Sequence, residues 1–323
     1  MMDRTLDPRR LLDLLSIAEH GSFTRAAAAR GVSQPALSNS IAALERVLGT
    51  RVLERTRHGA ALTETGRLLA THAETLQSAL GRASGDVSLK KLGMEGSLVV
   101  GMSPVASVEI VPEAVAAFRR ETPNVSVAIH ELPDDELIER LRTGAIDVMV
   151  SPAGLLADPP EIEREVLLRD RFVIVMRPDH PLARRSALDL AELHDAAWVM
   201  PNAHTAMWRQ IESLFVAENE AWPARCVSTN SVTALKSLLM RSDSVSISSF
   251  RLVTLDCAAG HLAAVPLRQP HFQREICLRK RRDASLTPLA LRFIAILRAV
   301  GARIAKNTPS PRNAARTAPK RKR

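Results

Sequence analysis

Between Ser33 and Gly49 the apolar residues Leu37, Ile41, Leu44 and Leu48 recur at steps of four, three and four. That spacing predicts one helix with a single buried stripe. Gln34, Ser38, Asn39, Ala42 and Arg46 lie largely off the stripe, so the opposite face is short-chained and polar. Ser33 is placed as the cap, and Pro35 is tolerated in the first turn, where N–H groups have no intrahelical partner. Upstream, Leu11, Leu12, Leu14, Leu15 and Ile17 predict a short helix opened by Asp7 and Pro8 and closed near Gly21. Ser22 is expected to cap a second helix, FTRAAAAR, whose Ala26 and Ala27 let another helix come close. Gly31 suits the turn that follows, and Val32 is expected to be its buried plug.

Two short helices, a turn with glycine and a capped third helix make a helix-turn-helix, whose polar face can enter a major groove. A plain three-helix bundle with a solvated face also fits this spacing. Next, Val52 and Leu53 read as a strand, Arg57-His58-Gly59 as a turn and Ala61-Leu62 as the return strand. Arg51, Arg55 and Arg57 on such a wing would meet phosphates, which supply affinity and register. The stretch from Thr63 reads as helical to about residue 82, with Leu68, Leu69, Leu76, Leu80, Ala73 and Ala83 as an apolar stripe too exposed for a lone helix. Pairing with a second copy or docking on the chain's own second domain would bury it. Gly81, Gly85, Gly93 and Gly96 are expected to make a hinge.

From residue 97 the pattern alternates. SLVVGM, VSVAIHE, IDVMV, two strands near REVLLRDRFVIVMRP, then WVM, RCVS, VSIS, LAAVPL and REICLRK read as strands, with helices between several of them. This predicts an α/β region with mostly parallel sheets. Such sheets bind ligands outside the carboxyl ends of their strands. Ser103 and Pro104, Ser151, His204 and Thr205, Asn230 and Ser231, and Ser248 stand at those ends, so they are the candidate ligand residues. For each of them alone, a helix cap or a turn is an equally local explanation. Few bases are expected in the cleft, Arg209 and Lys236 being the candidates, which leaves a carboxylate and a neutral polar ligand both open.

Charge sharpens the division. Residues 1–60 carry nine Lys/Arg against six Asp/Glu, residues 93–305 carry 24 against 26, and residues 306–323 carry seven bases and no acid. Basic ends on a near-neutral body fit a polyanion-binding module joined to another function. The basic tail is expected to be disordered, serving as a non-specific nucleic-acid contact or as a solubilising end. Apolar residues make up 46 %, with no long apolar run and no leader-like N-terminus, so neither a membrane partner nor export is expected. Cys226, Cys257 and Cys277 show no paired spacing, and neither the cysteines nor the nine histidines form a metal pattern, so no metal and no cofactor is expected. GxSxG, GxGxxG, P-loop and HExxH motifs are absent, which argues against an enzyme.

The run AEHGSFTRAAAARGVSQPALSNSIAALERVLGTRVLERTRHGAALTETG resembles the DNA-binding domain of the LysR-type transcriptional regulators over about 60 residues, through GSF, the Ala run, VSQPALS, LE before LG, and LT-x-x-G. The resemblance implies α/β architecture with an N-terminal all-α winged helix-turn-helix (1–62), a linker helix and hinge (63–92), and an effector domain (93–305). That domain would be two α/β lobes resembling type 2 periplasmic binding proteins, lobe I about 93–168 and 270–305, lobe II about 169–269. Gln34, Pro35, Ser38 and Asn39 are then expected at base edges, and Ser33, Arg25, Arg30, Arg46, Arg51, Arg55 and Arg57 at phosphates. Asn39, Ser40 and Ala42 stand where such proteins often carry longer polar residues, and Asn39 suits a bidentate pair with adenine. Ser242 and Ser244 replace glycines in the SDSVSISSF stretch. Implied partners are double-stranded promoter DNA with an inverted repeat, RNA polymerase, a small-molecule effector and other copies of the chain, as a dimer through the linker helix and a homotetramer. The implied location is the cytoplasm, at the nucleoid. An architectural DNA-binding protein without an effector, or a cytoplasmic α/β enzyme, are the alternatives.

Overall fold

The computed structural model describes residues 6–56, 59–154, 157–203, 205–268, 273–282 and 286–306. They form two compact units: one of the residues up to 97 together with 139–146, the other of 98–138 and the residues from 147 onward.

The first unit opens with α1 (Pro8–His20), α2 (Phe23–Arg30) and α3 (Gln34–Leu48), followed by β1 (Leu53–Thr56), β2 (Gly59–Leu62) and α4 (Glu64–Lys91). Asp7 caps α1 by accepting from the Arg9 N–H, and Ser33 caps α3 by accepting from Ala36 N–H. Ser22 precedes α2 in extended backbone but its side chain caps nothing. Gly31 closes α2 at φ 66°, a conformation costly for any side chain. Val32 is 45 % exposed and plugs no core; its N–H bonds the Ala27 carbonyl, so the turn is held by backbone. Leu14, Ile17, Ala26, Ala27, Leu37, Ile41, Leu44, Val52, Leu53 and Leu69 form the core of this unit. β1 and β2 pair antiparallel, Leu53 opposite Leu62.

The long helix departs from the expectation. It runs through Gly81 and Gly85 to Lys91 and does not break near residue 82. Two exposed glycines cost a helix about 1 kcal/mol each relative to alanine, too little to stop one. Its apolar positions also split. Leu69, Ala70 and Ala73 are buried within the first unit, while Leu68, Leu80 and Val87 stay exposed.

The second unit holds β3 (Gly96–Met102, beginning in the first), α5 (Ile110–Glu121), β4 (Val125–Glu131), α6 (Asp134–Arg142, ending in the first), β5 (Val148–Pro152), β6 (Ile162–Met176), β7 (Ala197–Met200), α7 (Ala206–Ala217), β8 (Cys226–Ser228), α8 (Val232–Arg241), β9 (Ser244–Ser249), α9 (Phe250–Ala258), β10 (Ala263–Pro266), β11 (Gln273–Arg281) and α10 (Pro288–Lys306). One path of strands runs β4-β3-β5-β11-β6-β9-β7-β8, with β10 on β6. The expected pair of strands near REVLLRDRFVIVMRP is one strand, β6. Its first half pairs with β11, its second with β9 and β10. The sheet is accordingly mixed: β3–β5, β7–β8 and β7–β9 are parallel, but β5–β11, β11–β6 and β6–β9 are antiparallel.

The sequence of β6 explains its two roles. Val173 and Val175 point to one core, with Leu239, Phe250 and Val253; Phe172, Ile174 and Met176 point to another, with Trp198, Ile211 and Phe215. A strand apolar on both faces must be covered on both. A separate core gathers Leu98, Val100, Phe118, Val148, Val150, Phe293 and Leu297, with Phe118 and Phe293 edge to face at 5.5 Å. Asp170 and Arg171 interrupt the apolar run where β6 passes between these cores.

Candidate nucleic-acid interface and ligand cleft

In α3 the sides divide as the periodicity requires. Leu37, Ile41 and Leu44 are buried, while Gln34, Pro35, Ser38, Asn39, Ala42 and Arg46 are exposed on one rod. Glu45 fixes the rod to the strand pair: its Oε1 accepts from Val52 N–H (2.8 Å) and Leu53 N–H (3.3 Å). Arg25, Arg46 and Arg51 are exposed. Arg30, expected at phosphates, is exposed, and its Nε donates to Asp13 at 3.0 Å; Asp13 also accepts from Ser40 Oγ at 2.6 Å. The Ser33 hydroxyl is used as a helix cap. Of Arg55 the backbone lies in β1, and Arg57 lies outside the described residues. Glu45 was missed as a functional residue; the acid preceding the end of α3 was its only signal.

In the second unit, Ser103 follows β3 at 6 % exposure, and Pro104 opens a short 3-10 turn. Ser103 N–H bonds the Val150 carbonyl, which places it beside Ser151. Ser151 is fully buried, and its Oγ accepts from Arg279 Nη1 at 2.7 Å. Thr205 caps α7 by accepting from Trp208 N–H. Ser231 caps α8 by accepting from Ala234 N–H, and it and Asn230 are exposed. Ser248 is buried in β9 opposite Val173. His204 lies outside the described residues.

Several arginines are gathered along β6 and β11. Asp170 in β6 and Arg274 in β11 are directly opposed partners, Arg274 Nε standing 3.5 Å from Asp170 Oδ2. Arg274 lies 4.9 Å over the Phe172 ring, and its Nη1 reaches Met207 Sδ in the first turn of α7 at 3.8 Å. Asp170 also accepts from Ser249 Oγ. Arg171 lies over Phe250, and Arg251 Nη1 donates to Glu109 at 2.9 Å. Arg279 spends every nitrogen on oxygen: Asp158, Ser151 and the Pro152 carbonyl. Lys236, a candidate cleft base, is 2.8 Å from Asp256, both side chains largely covered. Arg209 is exposed on α7.

Burial pushes the Asp134 carboxyl up from the usual carboxylate range, with Arg279 and Arg274 pulling the other way. Burial pulls the Arg274 guanidinium down, opposed by Asp170. The charged residues sit where β6 and β11 cross between cores, which periodicity alone does not mark. The interruption RDR before FVIVM was the available signal.

Among the described residues no group of three His, Cys, Asp or Glu is arranged to hold a metal, and no helix is long and apolar enough to cross a membrane. Cys257 and Cys277 are buried and Cys226 exposed, all free; burial pushes the Cys257 thiol up to about 12.

Comparison with known proteins agrees with both halves. Residues 8–67 match the family model described as bacterial regulatory helix-turn-helix protein, lysR family, and residues 92–302 match the LysR substrate binding domain. The HTH-type transcriptional regulator PcaQ of Agrobacterium fabrum is 31% identical over 306 residues, 93% of this chain and 97% of that protein. The SDS degradation transcriptional activation protein of a Pseudomonas species is 35% identical over 264 residues, 81% of this chain and 85% of that protein. Full-length CbnR solved in complex with its target DNA has the same fold, with a TM-score of 0.61 at 24% identity over 91% of this chain and all of that one.

Proposed function

The chain belongs to the LysR family of bacterial transcriptional regulators, and from that premise we propose how its two units divide the work. It is a DNA-binding regulator with an effector-binding domain, not an enzyme. The observation that carries the DNA reading is the division of α3, with Leu37, Ile41 and Leu44 beneath and Gln34, Pro35, Ser38 and Asn39 exposed above. Those four residues read base edges; Arg25, Arg46, Arg51, Arg55 and Arg57, with Ser33, hold the phosphates.

Leu68, Leu80 and Val87 on α4 support a dimer formed through that helix, since exposed apolar residues on a long rod gain by pairing. Two such dimers make a tetramer. Half-sites then form an approximate inverted repeat about one helical turn apart. A small effector held near Ser103, Ser151, Thr205 and Ser248 binds two assembly geometries unequally, which changes DNA bend and the access of RNA polymerase. The site of action is the nucleoid, in the cytoplasm.

Selection of binding sites from random DNA tests the assignment. The parent protein should return one palindromic motif, and Asn39→Ala should relax one position in each half. An unchanged motif removes Asn39 from base reading; no motif at all overturns sequence-specific binding. Footprints of unchanged length and bend with every stabilising ligand would favour an architectural protein without an effector.

A further inference from the structure

One carboxylate of the first unit joins three helices. Asp13 in α1 has a side chain only 15 % exposed, and each of its oxygens takes a donor from a different helix. Oδ1 accepts from Arg30 Nε in the last turn of α2 at 3.0 Å, and Oδ2 accepts from Ser40 Oγ in α3 at 2.6 Å. Ser40 directly follows Asn39, and Arg30 stands three residues ahead of Ser33, the cap of α3. The tie therefore lies beside the exposed face of α3, at the edge of its buried stripe.

Apolar packing alone leaves α3 a freedom that base reading does not tolerate. Leu37, Ile41 and Leu44 share a core with the small Ala26 and Ala27, and burial of such a stripe is non-directional. A side-chain tip lies about 5–6 Å from a helix axis, so a roll of about 10° carries it about 1 Å. A recognition group has to be held within about 0.5 Å and 10–20° of its productive geometry. Hydrogen bonds are directional and resist a roll. Asp13 supplies that restraint near the middle of α3, and Glu45 supplies one near its end. The second consequence is electrostatic. A cation on a phosphate adds affinity for every sequence alike. Arg30 is exposed, but Asp13 engages its Nε and balances its charge.

We propose that Asp13 is a positioning residue for base reading: through Ser40 it fixes the roll of α3, and through Arg30 it withholds a cation from the phosphates, so that the cognate sequence gains over random DNA. This rests on the reading of α3 as the element that enters the major groove, and it assigns a part in specificity to a residue of α1.

The test compares the full chain on its selected site and on random duplex of the same length, across a salt series. Asp13→Ala should bind the site about tenfold more weakly, near the discrimination carried by one bidentate base contact. Random DNA should be bound as well as by the parent or better, and the dependence of log affinity on log salt should steepen by about one as Arg30 turns to phosphate. Adding Arg30→Ala to Asp13→Ala should return the salt slope to the parent value without restoring discrimination. Ser40→Ala keeps the Arg30 pair and should cost several-fold on the site alone, about the value of one hydrogen bond, with the slope unchanged. Asp13→Asn can accept from Arg30 through Oδ1 and donate through Nδ2 to Ser40 Oγ, so it should keep most of the discrimination. A purely structural role would lower the melting midpoint and weaken both DNAs together with no steeper slope, and that pattern overturns the proposal. If Asp13→Ala fails to fold, Ser40→Ala decides: discrimination equal to the parent's overturns it. A parent that selects a motif while Asp13→Ala discriminates equally well removes only the role of Asp13, whereas a parent that prefers no sequence removes the base reading as well.

Discussion

No methyl group fits between Gly66 and Val52. A Cβ on Gly66 would stand 2.0 Å from the Val52 carbonyl oxygen and 3.1 Å from a Leu62 methyl. Gly66 N–H also donates to the capping Thr63 Oγ1 at 3.1 Å, and Thr63 N–H bonds that same Val52 carbonyl. The first turn of α4 is thus laid directly on the strand pair.

Gly66→Ala should therefore destabilise the first unit by about 1–3 kcal/mol, the usual cost of overpacking. Gly81→Ala, with nothing within 4 Å, should do the opposite and gain up to about 1 kcal/mol. Thermal melts of the two variants should move in opposite directions, and only Gly66→Ala should weaken DNA binding.

Glu45 joins α3 to β1 through one oxygen and two backbone donors. Glu45→Ala leaves both N–H groups unsatisfied and should cost about 1–3 kcal/mol in denaturant titration. Glu45→Gln keeps an acceptor and should recover much of that loss.

Exposed arginines and exposed amides should separate in salt titrations. Arg25→Ala, Arg46→Ala or Arg51→Ala should weaken specific and random DNA alike and reduce the salt slope by about one each. Gln34→Ala or Asn39→Ala should keep the slope and lose about 1–3 kcal/mol of discrimination at one base pair. Arg30→Ala should behave differently from the other arginines, lowering stability through Asp13 more than it alters the slope.

Leu80→Glu places a charge on the exposed apolar side of α4. Sedimentation should show smaller assemblies, with the melting of each unit nearly unchanged. Full-size assemblies would remove α4 as the dimer seam.

Asp134 sets a pH dependence of definite sign. Its carboxyl holds its proton more tightly when folded than unfolded, so the ionised group opposes folding. That penalty is absent below the unfolded value, near 3.9, and grows as pH rises through the raised folded value. Asp134→Asn should accordingly raise the melting midpoint at neutral pH, and the gain should vanish toward about pH 4.

Much of this molecule was legible in the amino-acid sequence because the responsible forces are local. Ser33, Pro35 and the four-three-four stripe specify α3 and its exposed side through capping and periodicity within a few turns. The strands VSVAIHE and VSIS, and the closing of α1 and α2 by Gly21 and Gly31, follow in the same way. Val32 misled because an apolar residue after a glycine turn looks like a plug, yet the turn is satisfied by its N–H. The run through Gly81 and Gly85 misled because an exposed glycine weakens a helix without ending it.

What the tertiary structure alone decided is the pairing of buried charges along β6 and β11. Asp170 and Arg274 lie far apart along the chain and face each other only because β6 is one strand, crossing between two cores with β11 beside it. Whether a buried arginine meets a carboxylate and carbonyls, like Arg279, or a carboxylate, a ring and a thioether, like Arg274, depends on which distant groups reach its plane. Hydrophobic periodicity reports which side of an element is covered; it carries no information about what a buried charge meets there.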